Sequence, residues 1–442
     1  MIKRIRELKG SRWDVVYLFL YNLFLPFGIL IYWIYASLFK KKRLAPLGER
    51  LGKLSQEQLT RLIGKSPIWI QAVSVGEVAS VGPLIELLRE ENPEIPIVLT
   101  TTTPKGFELC RRLEQKGVIA AYFPLDLPQA MRRFIRAVNP GLLVMIETEF
   151  WPNCIAEAAG RKCPMVVING RISERSFPRY KVFQRFARQF LFPVSYFLMQ
   201  SELDAERLRQ IGVPEEKIKV MGNLKFDAAS ANEKKPVSTS AEFLKKGTVW
   251  MAASTHEPEE KQLYQIYRRL RESVPSLQWV VAPRHVERAN VLKEWFLQQG
   301  EKVFCWSEYQ ENSLPLNAAE AVLLVDTVGE LSRFYAAADI VFMGGSLIPH
   351  GGQNPLEPAG FGKAVLFGPH MFNFRDITAQ LLREGGAVQL QSLSEIEELL
   401  EKLLKNQAQL KEMGEKARRI VANNQGASGR ILRFLKENQL IP

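Results

Sequence analysis

Short apolar runs alternate with amphipathic stretches along most of this 442-residue chain, and this alternation limits its fold more than any other feature. In the first half the apolar runs occupy residues 68–75, 95–102, 117–123, 141–147, 164–170 and 195–201. Stretches with helical periodicity, such as 77–90 and 104–116, separate them. A parallel strand covered by helices on both faces is apolar throughout, and a helix connects it to the next strand. The pattern therefore predicts an α/β fold built on a parallel sheet.

The same alternation resumes after a polar segment, 228–247, which contains Pro236 and several small residues and is predicted to be a linker. The second set of apolar runs covers 247–254, 277–283, 302–306, 321–326, 339–345 and 364–368, and helices are predicted from 393 to about 437. Two such halves predict paired Rossmann-like domains that face a cleft. Ligands of open parallel sheets bind at the carboxyl ends of the strands, so the loops after the strands are the candidate site.

The stretch from Val15 to Phe39 contains no charged residue. As a helix it would be about 37 Å long, enough to cross a hydrocarbon core of about 30 Å. It is too long for the apolar part of a signal peptide, so an uncleaved membrane anchor is predicted. Both flanks are basic, and Asn22 and Pro26 lie within the run. These features keep a hairpin with both flanks in the cytosol as an alternative to a single span, which is favoured, and a buried core helix is the third alternative.

The formal net charge is +12, and the excess is concentrated in the first 65 residues and in a run from Arg161 to Arg188 that contains one acid, Glu174. Nucleic acid, an anionic membrane surface or a phosphorylated substrate would each explain such a pattern, as would simple solvation of basic helices. The four cysteines and four histidines have no zinc-site spacing. A reducing compartment and no structural zinc are therefore predicted.

Polar and charged residues follow the predicted strands of the first half. Directly after the first strand, Gly76 is expected to permit a tight turn and Glu77 to begin a helix. A carboxylate at that position can act as a general base, although an acid stabilised by the helix dipole is equally consistent with the sequence. Later strands are followed by Glu147 in ETEFWPN, Arg171 in VINGRIS and Lys225 in GNLKFD.

The second half offers groups suited to a nucleotide. Arg284 and His285 in APRHVER can bind a phosphate or a carboxylate, and Gly329 in DTVGEL precedes a helix headed by Glu330. In GGSLIPHGGQNPLEPAGFG a helix is expected to start at Asn354, and its N-terminus would suit a nucleotide phosphate. Glu357, in the first turn of that helix, could accept hydrogen bonds from the ribose hydroxyls. The chain has no GxGxxG, Walker A or DxD string, which weakens dehydrogenase, NTPase and metal-bridged diphosphate hypotheses.

Taken together, SVGEV, ETEFWPN, NGRIS, GNLKFD, APRH-ER, GGQNPLEPA and GPHMFNF resemble the 3-deoxy-D-manno-octulosonic acid (Kdo) transferases of Gram-negative bacteria. The similarity runs in order over roughly residues 40–430. It implies a GT-B fold and an inverting, metal-independent transfer of Kdo from CMP-Kdo onto the lipid A precursor, lipid IVA. It also implies that no cofactor is used. The KKKR run after the apolar segment predicts that the catalytic domains lie on the cytoplasmic side of the inner membrane.

The resemblance implies a role for individual residues. Glu77 would be the general base, and Glu147 and Lys225 would stabilise the transition state. The implied CMP-binding residues are Pro283, Arg284, Val328, Gly329, Glu330, Asn354, Pro355, Leu356 and Glu357. Weaker donor or acceptor contacts are assigned to Ser74, Gly76, Arg171 and His285. The chain has Val328 where the family often has Met, and HEPEE where a Gly-Glu-Glu string is common.

These inferences predict five segments. Residues 1–40 form the membrane anchor, 41–227 a Rossmann-like acceptor domain, 228–247 the linker, 248–425 a Rossmann-like CMP-sugar domain, and 426–442 a helix that packs back on the first domain. Two other functions are retained as alternatives, a GT-B transferase using a UDP-sugar and a lipid-linked acceptor, and a non-catalytic membrane-anchored binding protein. A nucleic-acid partner is not expected, since it would explain neither the apolar run nor the glutamate-bearing loops.

Overall fold

The computed structural model describes residues 18–29, 31, 45–174, 176–233, 244, 247–312 and 321–442. The outer parts of the predicted anchor and residues 234–243 of the predicted linker lie outside the described residues. The chain divides into two compact units. Unit 1 comprises Met1–Ala228 and Gly426–Pro442, and unit 2 comprises Ala229–Gln425.

Unit 1 is built on a parallel sheet of seven strands in the order β3-β2-β1-β4-β5-β6-β7. The strands are β1 (Ile68–Gln71), β2 (Ile97–Thr101), β3 (Val118–Tyr122), β4 (Leu142–Ile146), β5 (Met165–Gly170), β6 (Tyr196–Met199) and β7 (Ile218–Val220). Alternate residues of β1 enter different core clusters, Trp69 on one face of the sheet and Ile68 and Ile70 on the other. Because both faces are covered, every residue of the central strands is buried, which explains their unbroken apolar runs.

Residues 18–29 form an N-terminal helix. The further helices of unit 1, up to the start of unit 2, are α1 (Leu47–Arg50), α2 (Gln56–Leu62), α3 (Val75–Glu91), α4 (Pro104–Leu113), α5 (Pro128–Val138), α6 (Pro152–Ala159), α7 (Phe177–Val182), α8 (Gln184–Leu191), α9 (Glu202–Ile211) and α10 (Leu224–Glu233). Proline occupies the first position of α4, α5 and α6, where its missing N–H has no helical partner to lose. Helix α10 continues into the segment predicted to be a linker.

Unit 2 contains a second parallel sheet of seven strands, in the order β10-β11-β9-β8-β12-β13-β14. The strands are β8 (Thr248–Thr255), β9 (Leu277–Pro283), β10 (Lys302–Cys305), β11 (Ala321–Leu324), β12 (Ile340–Met343), β13 (Ala364–Phe367) and β14 (Ala387–Gln389). The helices are α11 (Glu259–Ser273), α12 (Ala289–Gln298), α13 (Trp306–Asn312), α14 (Leu331–Ala337), α15 (Leu356–Gly360), α16 (Arg375–Arg383), α17 (Leu393–Leu404) and α18 (Gln407–Asn424). Fully buried Trp250 and Trp279, with ring centroids 5.6 Å apart, lie in its core.

The last helix, α19 (Ala427–Glu437), returns to unit 1. The Asp227 carboxylate accepts the backbone N–H groups of Gly426 at 2.7 Å and Ser428 at 2.6 Å, at the start of α19. Farther along, the Phe434 ring contacts Tyr196 of β6 edge-on, at a centroid distance of 4.9 Å. Asp227 therefore ties the end of the chain to the turn that carries Lys225.

The strand order reverses between β1 and β4 in unit 1 and between β8 and β12 in unit 2. At such a point the helices after two neighbouring strands leave on opposite sides, which opens a crevice at the carboxyl ends of the strands. The α/β fold with two parallel-sheet units is confirmed. Among the described residues, no helix is both long enough and apolar enough to cross a membrane.

Candidate active site

Glu77 lies at the strand-order reversal of unit 1, in the first turn of α3 after β1. Its side chain is only 8% exposed. The carboxylate accepts two hydrogen bonds, from the Val73 backbone N–H at 2.7 Å and from the Ser74 hydroxyl at 2.7 Å. Ser74 is also the N-cap of α3 and accepts the Glu77 N–H at 3.3 Å. The helix start and the carboxylate orientation therefore depend on the same serine.

Burial raises the pKa of Glu77 from its ordinary 4.5 to about 7, and the negative charge of Glu147 adds to this effect. The hydrogen bonds from Val73 and Ser74 act in the opposite direction, because they stabilise the carboxylate. A carboxyl group with a pKa near neutrality is matched to taking a proton from a hydroxyl group at physiological pH. Its surroundings thus suit the role of a general base.

Glu147 and Lys225 form an ion pair next to this carboxylate. Glu147 directly follows β4, the sheet neighbour of β1, and Lys225 lies in the first turn of α10. The Lys225 Nζ lies 3.2 Å from Glu147 Oε1, and both side chains are partly exposed. Glu147 has a φ of 60°, which is uncommon for a residue with a side chain and costs about 1 kcal/mol or more. Such strain at the end of a strand is typical of functional sites.

Asn169 connects the strand ends that carry Glu147 and Lys225, and it was not predicted from the sequence. It lies near the end of β5 with a φ of 52° and is fully buried. Its Oδ1 accepts the backbone N–H of Leu224 at 3.1 Å, at the start of the helix that carries Lys225. The carbonyl of the preceding residue, Ile168, accepts the Glu147 N–H at 2.9 Å. Asparagine tolerates the left-handed conformation, and its place in NGRIS is the one signal that pointed to it.

The remaining predicted residues of unit 1 are near these strand ends. Arg171 follows β5, and the next residue, Ile172, is fixed because its N–H donates to Asp204 at 2.7 Å. Gly76 lies inside α3, and its φ is not in the left-handed region. The expectation that Gly76 forms a tight turn is therefore wrong. A Cβ there would meet only Ser74 Oγ, at 3.9 Å, so the local backbone does not require glycine.

In unit 2 a buried carboxylate shapes the loop after β12. Glu259, at the start of α11, is fully buried and accepts four backbone N–H groups. Their donors are His256 at 2.9 Å, Gly345 at 2.6 Å, Ser346 at 3.0 Å and Leu347 at 2.9 Å. The carboxylate thus occupies the amides of the glycine-containing turn, which are therefore not open to a ligand. Neighbouring Glu260 instead pairs with Arg288, at 2.6 Å.

Three histidines meet at the strand-order reversal of unit 2, and we call His256, His285 and His350 the imidazole cluster. The His256 ring lies 4.1 Å from the His350 ring and 5.7 Å from the His285 ring, between centroids. Burial, together with the nearby His350 and His285, lowers the pKa of His256 to about 4. His256 is therefore neutral at pH 7. Within the described residues, no group of three His, Cys, Asp or Glu side chains could hold a metal ion.

The predicted nucleotide-binding residues lie on loops of unit 2. Pro283 ends β9, and the Arg284 N–H donates to the Thr255 carbonyl at 2.9 Å, while the Arg284 side chain is exposed. Arg284 and Glu357 both act on the pKa of Tyr335, which burial raises, Glu357 raises further and Arg284 lowers. Tyr335, in α14, was not predicted, and it is buried within the electrostatic influence of both Arg284 and Glu357.

The other predicted residues of unit 2 belong to two further turns. Asn354 Oδ1 accepts the Leu356 N–H at 3.2 Å, so it caps α15, whose N-cap residue is Pro355. This helix has only five residues, so its dipole is smaller than a long helix would provide. In the other turn Gly329 has a φ of 94°, Val328 is exposed, and Glu330 pairs with Arg333 at 3.1 Å.

Comparisons with known proteins identify the family. A sequence profile described as 3-Deoxy-D-manno-octulosonic-acid transferase (kdotransferase) matches residues 45–228. A 3-deoxy-D-manno-octulosonic acid transferase of Haemophilus influenzae is 36% identical over 372 residues, which cover 84% of this chain and 86% of that protein. The chain belongs to the Kdo transferase family. The prediction made from its motifs is confirmed, as is the prediction that the protein is an enzyme, a transferase.

Other comparisons extend over nearly the whole Kdo transferase chain. A 3-deoxy-D-manno-octulosonic acid transferase of Rickettsia bellii is 31% identical over 417 residues, covering 93% of this chain and 96% of that protein. A crystal structure of UDP-GlcNAc 2-epimerase from Neisseria meningitidis is similar in fold, with a TM-score of 0.58 at 16% identity. It covers 84% of this Kdo transferase and 100% of the epimerase chain. The structural likeness supports the two-unit α/β architecture.

Proposed function

We propose that this Kdo transferase moves Kdo from CMP-Kdo onto a hydroxyl group of the lipid A precursor, lipid IVA, in one inverting and metal-independent step. The observation that carries the proposal is the buried Glu77 carboxylate, held by two donors at the strand-order reversal of unit 1. The names of the relatives, which are Kdo transferases, support the sugar that is transferred.

In the proposed step Glu77 takes the proton of the acceptor hydroxyl while the hydroxyl oxygen attacks the anomeric carbon of Kdo. The bond from that carbon to the phosphate oxygen breaks, and its electron pair leaves with CMP. One displacement inverts the configuration and needs a single base. Lys225 and Glu147, 3.2 Å apart, provide fixed charges close to the base. Such charges stabilise the sugar in the transition state without having to reorganise.

The proposed donor-binding groups belong to unit 2. Arg284 carries an exposed guanidinium, which suits the phosphate of CMP as it gains charge. Glu357 and Asn354 form a polar pair, with Asn354 Nδ2 3.3 Å from Glu357 Oε1, and are assigned to the nucleoside. Pro283, Val328 and Gly329 complete the proposed CMP site as backbone or apolar contacts.

An anionic acceptor in a membrane agrees with the surface of α7 and α8. In these helices Arg179, Lys181, Arg185 and Arg188 are exposed, together with Phe183, which is 61% exposed. Basic and aromatic side chains on one exposed surface suit a bilayer with anionic head groups. We therefore propose that the enzyme works at the cytoplasmic face of the inner membrane and that the apolar run at 15–39 attaches it there.

The test is the mass of the product. Purified enzyme is incubated with lipid IVA and a system that generates CMP-Kdo, and parallel reactions contain UDP-sugars instead. The expected product is heavier than lipid IVA by one or more Kdo residues, and the number of residues added is read from the same spectrum. A product formed only with a UDP-sugar would replace the proposal with the UDP-sugar alternative, and no product with either donor would overturn it.

A further inference from the structure

The N-terminal helix is bonded to the body of unit 1 on one side. The Tyr21 hydroxyl donates to Asp126 Oδ2 at 3.0 Å, and Asn153 Nδ2 donates to Asn22 Oδ1 at 2.7 Å. Leu18, which is 7% exposed, belongs to the same core cluster as Trp69 of β1. The segment predicted to be an anchor is therefore attached to unit 1 through polar contacts made within its apolar run.

The contacted residues lie at the start of a helix of unit 1. Asp126 accepts the backbone N–H groups of Asn153 at 3.0 Å and of Cys154 at 2.9 Å, at the start of α6. A carboxylate at that position stabilises the helix start through the helix dipole. Asn22 and Tyr21 thus join a hydrogen-bond network that begins with a helix cap, and they bind to a preformed part of the molecule.

The opposite side of the same helix is apolar and uncovered, and we call it the aromatic face. Its side chains are Phe19 (63% exposed), Leu23 (46%), Phe24 (64%) and Phe27 (62%), and Ile31, which is also helical, is 68% exposed. A patch of this composition marks an interaction site rather than a surface in contact with water. None of the described residues of unit 1 covers it.

The chain is fixed to unit 1 again shortly after this helix. The Leu125 N–H donates to the Arg50 carbonyl at 2.7 Å, and Arg133 Nη1 donates to the Leu51 carbonyl at 2.9 Å. Only residues 23–49 connect Asn22 to Arg50. Crossing a bilayer and returning as helices needs about 40 residues, and a single crossing would put Arg50 on the far side. Both ends of the apolar run must therefore be on the same side.

We infer that the N-terminal helix lies in the plane of one leaflet, with its aromatic face in the lipid, and that both basic flanks stay on the side of unit 1. The occupant of the aromatic face is an anionic bilayer. The charges agree with this choice, because the run is flanked by Lys3 to Arg12 on one side and Lys40 to Arg43 on the other. Two basic flanks conflict with a single span but not with this arrangement. The inference rests on the proposed membrane attachment and is independent of the reaction.

The first test locates the two ends of the run. The free cysteines, Cys110, Cys154, Cys163 and Cys305, are buried, so single cysteines introduced by Ser11→Cys and by Glu437→Cys report with little background. Both are treated with a membrane-impermeant maleimide in inverted and in right-side-out inner-membrane vesicles. We expect both to be labelled in inverted vesicles and neither in right-side-out ones. Labelling of the Ser11→Cys variant only in right-side-out vesicles would overturn the inference in favour of a single span.

The second test identifies what covers the aromatic face. Phe24→Glu and Phe27→Glu are compared with Val291→Glu, which alters an equally exposed apolar residue of unit 2, 68% exposed. With vesicles containing phosphatidylglycerol, we expect the two phenylalanine variants to bind at least tenfold more weakly and the control to bind normally. Transfer to a detergent-solubilised acceptor should be unchanged, which separates this inference from the proposed reaction. Vesicle binding that persists while a dimer dissociates would overturn it in favour of a second copy of the chain.

Discussion

At the carboxyl end of β1, a buried carboxylate is held by the backbone of Val73 and the hydroxyl of Ser74. Dipole stabilisation of a helix-start acid, the alternative explanation for Glu77, predicts a lowered pKa. Burial instead raises the pKa of Glu77 to about 7. The difference matters for function, because a carboxylate that is difficult to ionise is the better proton acceptor once it is ionised.

The pH dependence of kcat/KM tests this environment. A base acts in its ionised form, so we expect kcat/KM to rise with pH and to level off above about 7, the pKa to which burial raises Glu77. In Glu147→Gln the rising limb of the kcat/KM profile should move to lower pH, because a negative charge that raises the pKa of Glu77 is lost. In Ser74→Ala the rising limb should move to higher pH, because a hydrogen bond that stabilises the Glu77 carboxylate is lost. Shifts of both variants in the same direction, or a limb near pH 4.5 in the wild type, would contradict the assignment.

Asn169 illustrates why part of the site could not be predicted from the sequence at this scale. Glu77, Glu147 and Lys225 each follow an apolar run and carry a charge, so the sequence pattern indicates them directly. Asn169 instead acts through its φ of 52° and a hydrogen bond to Leu224, which is 55 positions away in the chain. Neither the backbone conformation nor the hydrogen bond can be predicted until the positions of the strands relative to one another are known.

At the scale of single elements, α11 begins with a carboxylate that organises another loop. The four N–H groups on Glu259 come from the end of β8 and from the turn after β12, which are neighbours at the strand-order reversal. In the sequence, the HEPEE string shows only a departure from the family pattern. Its function is to connect two loops that are 86 or more positions apart. A one-dimensional pattern contains no such information.

Glu259→Gln should destabilise unit 2. Each carboxylate oxygen accepts two backbone N–H groups, so the NH2 group of glutamine, on whichever side it lies, leaves two N–H donors without an acceptor. We expect a loss of about 2–3 kcal/mol in the free energy of unfolding. CMP should bind about tenfold more weakly, because the loop that precedes Asn354 loses its support. Denaturant unfolding and calorimetric titration with CMP measure the two effects. Glu272→Gln, at an exposed position of the same helix, is the control, and equal behaviour of the two variants would contradict this role.

Asp227→Asn should loosen the attachment of α19. The carboxylate accepts the N–H groups of Gly426 and Ser428, and asparagine retains one acceptor oxygen and no charge. We expect a loss of about 1–2 kcal/mol in the free energy of unfolding. The matched control, Glu437→Gln, changes an exposed acid at the other end of α19 and should have no effect. An unchanged unfolding midpoint for Asp227→Asn would show that the cap does not stabilise the helix.

At the scale of the whole molecule, the alternation of apolar runs predicted both sheets, and each of the twelve predicted runs contains or overlaps a strand, β1–β6 or β8–β13. The last strand of each sheet, β7 and β14, was not predicted, because each has only three residues and is partly exposed. The strand orders could not be predicted in the same way, because parallel strands that are distant in the chain pair through packing. The basic charge was also ambiguous, since a membrane, a nucleic acid and a phosphorylated substrate are all anionic. Membership of the Kdo transferase family shows a transferase, and an anionic membrane is our proposal for the partner of this charge.

The proposed metal independence can be tested only on the complete reaction. If Arg284 neutralises the leaving phosphate, transfer should proceed at an unchanged rate in excess EDTA. Arg284→Ala should then reduce kcat/KM by about 10²-fold or more, and Mg²⁺ should not restore it. Initial rates with and without chelator, for both proteins, provide the measurement. A tenfold loss in EDTA that Mg²⁺ reverses would contradict the proposed chemistry.

The most direct test of the central claim is the single-turnover rate of Kdo transfer by Glu77→Gln, compared with Glu86→Gln, which changes an exposed acid on the same helix. Ionising Glu77 is harder in the folded than in the unfolded state, so above pH 7 its charge reduces stability. The variant should therefore unfold at no lower temperature than the wild type at pH 8. We predict that it binds CMP normally and transfers Kdo about 10²- to 10⁴-fold more slowly, whereas Glu86→Gln retains the wild-type rate. Transfer by Glu77→Gln at nearly the wild-type rate would contradict the account.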